Sequence, residues 1–110
     1  MPTPYTFVVR HEPSSATQFP GVAASDAILA QAPAPYTLLL LGHDHTYQRL
    51  APNQVVAGNA GAPLDPGSST YGFVLLQERA DGNVAVTAYD SMTGLPYDGW
   101  AVTPAGANVP

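Results

Sequence analysis

Cysteine is absent from this chain, and so is lysine. The first absence removes disulfides, zinc–thiolate sites and cysteine nucleophiles together, and leaves the redox compartment open. The second leaves Arg10, Arg49 and Arg79 as the only cationic side chains besides histidine, against eight carboxylates, for a net charge of −5. A chain this acidic lacks the clustered cations that displace counterions from a long nucleic acid, so that class of partner is excluded. A small phosphate ester stays allowed, provided a metal ion supplies the positive charge. Charged residues make up only 10% of the chain, against about 25% in a typical globular domain. Either part of the surface is covered by another copy, or the composition is simply rich in Ala, Pro and Gly.

Long apolar runs are missing too. The longest, Leu38 to Leu41, is strand-sized and far short of the roughly 18–20 residues that cross a bilayer. No membrane partner is expected. The start, Met1-Pro2-Thr3-Pro4-Tyr5, has neither a basic region nor a long apolar stretch, so a soluble protein without a signal peptide is expected. No glycine loop with a phosphate-binding lysine occurs, and no serine sits in a nucleophile elbow. What remains is 45% hydrophobic in 110 residues, enough for one folded domain. Residues 1–103 are expected to form it, with the Pro- and Ala-rich residues 104–110 as a flexible tail.

The pattern along the chain is α/β. Residues 5–10, rich in β-branched and aromatic side chains, read as a strand. A Pro/Ser/Gly loop follows, and Ser25 can cap a helix over residues 26–31, ended by Pro33 and Pro35. Residues 36–41 do not alternate, as expected of a central strand buried on both faces. Strand, helix, strand predicts a parallel βαβ unit. Residues 54–57 add a strand, and residues 59–69 a loop. Residues 71–78 and 83–90 flank Asp81-Gly82, a hairpin signal, with Val84, Val86 and Ala88 on one face. Residues 97–102 suit an edge strand. The expectation is one mixed sheet of about five or six strands with one clear helix.

All three histidines fall in telling places. His11 follows the first strand; His43 and His45 follow the buried one, after Gly42. If those strands are parallel neighbours, all three imidazoles lie at the carboxyl edge of the sheet, where open α/β sheets bind ligands. His-x-His in extended backbone points both side chains the same way, and Gly42 permits a tight exit from the strand. Three imidazoles with one open position suit a zinc ion, beside which water ionises near neutral pH. Glu12 and Asp44 stand next to these ligands, to orient an imidazole, complete the coordination or remain as solvated charge. Arg10 and Arg49 are candidates for holding a phosphate, or for pairing with nearby carboxylates. Tyr47 is a candidate for lining the substrate pocket, or for packing.

Gly42-His43-Asp44-His45 after four leucines resembles the last motif, Gly-His-x-His, of the calcineurin-like metallophosphoesterases. Thr46-Tyr47-Gln48-Arg49 is similar to the continuation found in their purple-acid-phosphatase-like members. Val8-Val9-Arg10-His11-Glu12-Pro13 resembles the block before it, and Val56-Ala57-Gly58-Asn59-Ala60-Gly61-Ala62-Pro63 the glycine-rich strand and loop after it. The resemblance spans residues 5–94. The family's first three blocks, Asp-x-His, Gly-Asp-x-x-Asp and Gly-Asn-His-Asp/Glu, do not occur here. The chain therefore looks like the C-terminal half of such a domain, half of a sandwich completed by self-association, most simply as a homodimer. Carried over, His11 and His43 would bind one metal and His45 the other. With the remaining ligands missing, the resemblance implies one divalent ion shared by three histidines: zinc, or else Mn or Fe. It implies a metal-dependent phosphoesterase, with phosphodiesters favoured as substrates. In that reading His11, His43, His45 and Asp44 serve the chemistry, and Arg10, Arg49 and Tyr47 the substrate. The alternative is a non-catalytic metal-binding remnant or scaffold.

Overall fold

The βαβ unit predicted from the sequence is the start of the fold. In the computed structural model, which describes residues 4–32 and 35–110, strand β1 (Phe7–Arg10) is followed by helix α1 (Pro20–Ala30) and strand β2 (Leu38–Leu41). β1 and β2 pair in parallel, Phe7 opposite Leu38 and Arg10 opposite Leu41. Strands β3 (Tyr47–Ala51) and β4 (Gln54–Ala57) come next. β4 lies parallel to β2 on its other side, and β3 closes the sheet antiparallel to β4. The order is β1-β2-β4-β3.

The remaining strands, β5 (Gly72–Glu78), β6 (Val84–Asp90) and β7 (Pro96–Val102), form a separate antiparallel meander. The expectation of one mixed sheet of five or six strands is thus corrected to two sheets, of four and three strands, with one helix among the described residues. Turn signals mark where strands end, but not which sheet they join. Arg79–Gly82 turns the β5–β6 hairpin as expected, with Gly82 at φ 85°. β7 lies at an edge, also as expected.

β2 holds the layers together. Leu38 and Leu40 face the meander and pack with Val84, Val86 and Val102. Leu39 and Leu41 face the other way and pack with Val56, Val8 and Leu29 of the helix. Alternation along one strand therefore serves two cores, which is why its sequence shows no polar face. The order of layers is helix, four-stranded sheet, three-stranded sheet. Val84, Val86 and Ala88 share the buried face of β6, as read from their spacing.

The helix begins earlier than expected. Pro20 stands at its first turn, after Phe19 as N-cap. The proline that reads as a loop marker is well suited there, because its missing N–H has no partner to lose. Ser25 lies inside the helix, where its hydroxyl donates to the Val22 carbonyl, and does not cap it. The helix ends at Ala30, with the Gln31 N–H bonded to the Ile28 carbonyl and the Ala32 N–H to the Leu29 carbonyl. Pro33, read as its terminator, lies outside the described residues, as do Met1 to Thr3, where the reading of the leader began. The tail is tied by backbone bonds: Thr103 N–H to Ala107, and Val109 N–H to Ala101. No described helix is long and apolar enough to cross a membrane.

Candidate metal centre

The parallel pairing of β1 and β2 brings His11 and His43 to one edge of the sheet. The Gly42 N–H donates to the His11 carbonyl at 2.9 Å, extending the ladder one step beyond the strands. The two imidazoles meet edge to face, centroids 5.2 Å apart. With the Glu12 carboxylate they form a group whose ligand atoms lie within 4.8 Å of one another. A zinc ion at its usual bond lengths holds such atoms about 3.3 Å apart, so side-chain rotations of modest size would close the group on one ion. Two imidazoles and a carboxylate with an open fourth position is a donor set that suits zinc. His11 is exposed, and Glu12 and His43 are half-buried.

His43 adopts φ 67°, alone among the described non-glycine residues in this region. The Asp44 N–H donates back to the Gly42 carbonyl at 2.8 Å. An i to i+2 bond across a positive-φ residue is the rarer, strained γ-turn. Strain of this kind is held by surroundings that over-determine it. Those surroundings are visible. Phe19 stands edge-on to the His43 ring at 5.4 Å. Gly58 presses on the loop so closely that a Cβ there would lie 1.8 Å from the Asp44 carbonyl oxygen. Gly42, expected to make the tight exit, does not need its freedom. A Cβ there would meet His11 at an ordinary 3.6 Å.

The γ-turn breaks the alternation on which the three-histidine reading rested. His45 is not part of the group with His11 and His43. Its Nδ1 lies 2.7 Å from the Pro63 carbonyl, and its backbone N–H donates to Asp65. A carbonyl can only accept, so Nδ1 carries the proton.

Arg10 is spent on structure. It donates to the Glu12 carbonyl at 2.7 Å, to Asp26 at 2.6 Å and to Ser25 and Ser14. It thereby anchors the segment that carries His11 and Glu12 to α1. The hydrogen bond from Arg10 is the main reason that the Asp26 carboxyl is held below its ordinary range. Arg49 pairs with Asp98 and lies over Trp100, 4.1 Å from the ring centroid. Tyr47 donates to the same Asp98 at 2.6 Å. Burial, with the hydrogen bond and charge of Asp98, pushes the Tyr47 phenol well above its usual range. Burial alone would raise Asp98, but hydrogen bonds from Arg49 and Tyr47 bring it below normal. Both arginines expected to hold a phosphate thus have carboxylate partners, and Tyr47 does line a cleft, described below. Glu12 as a direct member of the group, and Phe19 behind His43, were not separable by sequence from loop charge and loop apolar residues. No family model, curated protein or solved structure matches this chain.

Proposed function

We propose that the chain is a metal-dependent hydrolase of phosphate esters, diesters above all, built as the C-terminal half of a calcineurin-like metallophosphoesterase domain. The observation that carries this reading is the convergence of His11, Glu12 and His43 at the carboxyl edge of parallel strands. These three residues would hold one divalent ion, zinc by preference, with Mn or Fe as substitutes. Bound there, the ion would supply Lewis acidity toward water and a phosphoryl oxygen. His45, its Nδ1 held by the Pro63 carbonyl, would be the residue to take a proton from attacking water. The water oxygen bonds to phosphorus, one ester P–O bond breaks, and the proton passes to the leaving alkoxide. Asp44 stands beside this edge as a further carboxylate. Self-association through the uncovered edge of β1 would complete the domain.

The engagement of Arg10 and Arg49 by Asp26 and Asp98 favours a second reading, metal binding without turnover. One experiment separates the two. Gel-filtered, zinc-loaded protein is assayed for metal by mass spectrometry and for hydrolysis of bis(p-nitrophenyl) phosphate, beside His43→Ala and a triple His→Ala variant. The hydrolase reading expects about one zinc per chain, lost in His43→Ala, and turnover that the triple variant lacks. Metal without turnover leaves the second reading standing. No stoichiometric metal sinks both.

A further inference from the structure

We infer a second ligand site, for a neutral polyhydroxylated compound such as a monosaccharide, in the cleft between the 67–70 loop, the start of β3 and Tyr97. The cleft holds about 210 Å³, below the range of drug-sized pockets and in keeping with a single sugar ring. Every side chain lining it carries a hydroxyl: Thr46, Tyr47, Ser68, Ser69, Thr70 and Tyr97. No cation is among them, so the cleft does not select a phosphate. This inference does not depend on the metal reading.

The hydroxyls are set in complementary directions by bonds behind the wall. Asn59, 1% exposed, donates its amide N–H groups to the Thr70 carbonyl at 2.8 Å and the Tyr97 oxygen at 3.3 Å. Tyr97 therefore accepts from behind, and its own O–H is free to donate outward. Thr46 accepts from Ser68 at 2.6 Å, which frees the Thr46 proton in the same way. Tyr47 does the reverse: it gives its proton to Asp98 and keeps a lone pair to accept. Ser69 and Thr70 add hydroxyls that can do either. A sugar hydroxyl is at once donor and acceptor, and this mixture matches it.

Two more features fit. Tyr97 is 42% exposed and its ring stands edge-on to Tyr47, centroids 5.2 Å apart, giving an apolar face for the C–H side of a sugar ring. Asn59 Oδ1 is buried without a hydrogen-bond partner. Such an atom costs stability, so the amide is held in place for what its N–H groups orient.

The test is a titration of zinc-free protein, followed by amide NMR shifts, with D-glucose, myo-inositol and inorganic phosphate in turn. Saturable shifts of Gly67, Ser68, Ser69 and Thr70 at millimolar glucose or inositol are expected, with none from phosphate. Tyr97→Phe keeps the ring and removes the outward donor, together with the oxygen that accepts from Asn59 behind it. Ser69→Ala changes an exposed residue that the fold does not need. Each should weaken binding about three- to tenfold, the loss of one hydrogen bond. Absence of saturable shifts with both sugars would overturn the proposal. So would shifts that phosphate reproduces, or shifts that both variants leave unchanged.

Discussion

A single residue, His43, carries the sharpest conflict between stability and chemistry. Its left-handed backbone costs a β-carbon-bearing residue about 1–2 kcal/mol. Glycine would relieve that cost, less about 0.4–1 kcal/mol for the added freedom of the unfolded chain. Comparing His43→Gly with His43→Ala isolates the backbone, since both lose the imidazole and its contacts with His11 and Phe19. Elsewhere alanine is the more stabilising of the two. Here the order should reverse: in zinc-free buffer the glycine variant should outlast the alanine variant in urea by about 0.5–1 kcal/mol. Equal midpoints, or a more stable alanine, would show that the turn is not strained. The same residue explains why the site was only half legible. Spacing anticipated that His11 and His43 share one sheet edge, because parallel pairing follows from patterns readable over thirty residues. The third partner depended on one φ angle. No spacing rule distinguishes His43 in an extended strand from His43 in a γ-turn.

Between elements, the ion pairs act as clamps. Asp98 on β7 binds Arg49 and Tyr47 on β3, joining the outer strands of the two sheets. Asp26 binds Arg10 and joins α1 to the end of β1. Both carboxyls titrate below their ordinary values in the folded chain. A depressed folded pKa means stability that is present above the unfolded value, near pH 4, and is lost as pH falls through the folded one. Acid unfolding should therefore steepen below about pH 4. Asp98→Asn keeps the shape and removes the charge. It should cost about 1–2 kcal/mol at pH 7, allowing for solvent screening at Arg49, and less near pH 2. Denaturant curves at the two pH values check this; an equal cost at both would mean that packing, not charge, joins the strands. These clamps also account for what the sequence left hidden at this scale. β3 has three exposed residues in a row, Gln48, Arg49 and Leu50, so it shows no alternation. It is held by β4 and by Asp98, partners distant in the chain. β2, β4 and β6 were legible because their burial is written in their own residues. The division into two sheets was not, because sheet membership is decided by what each face meets.

At the scale of the whole molecule, the proposed self-association makes the last prediction. β1 has β2 on one side and no described strand on the other. An open edge of this kind is usually blunted by lysine, proline or a bulge. β1 has none of these, and its one charge, Arg10, is engaged by Asp26. Val9 is 77% exposed, and Phe7, two residues away on the same face, is 44% exposed. Val9, His11 and Leu40 line one groove of about 420 Å³, so the apolar edge and the metal group share a wall. A second copy seated on β1 would cover Val9 and shield His11 together. Val9→Lys places a charge where natural edges carry one, at a position whose exposure leaves the single chain's fold within about 0.5 kcal/mol of wild type. Sedimentation at micromolar concentration should give a dimer for the wild type and a monomer for the variant. If the two copies also shelter the ion, zinc affinity should fall with the dimer even though Val9 is no ligand, because His11 would then be left fully open to water. A wild type that sediments as a monomer would remove self-association and leave the metal group to stand on its own three residues. A dimer that survives Val9→Lys would move the interface elsewhere, and the outer face of the meander, where Phe73 stacks on Tyr89 at 5.3 Å, would then be the surface to change next.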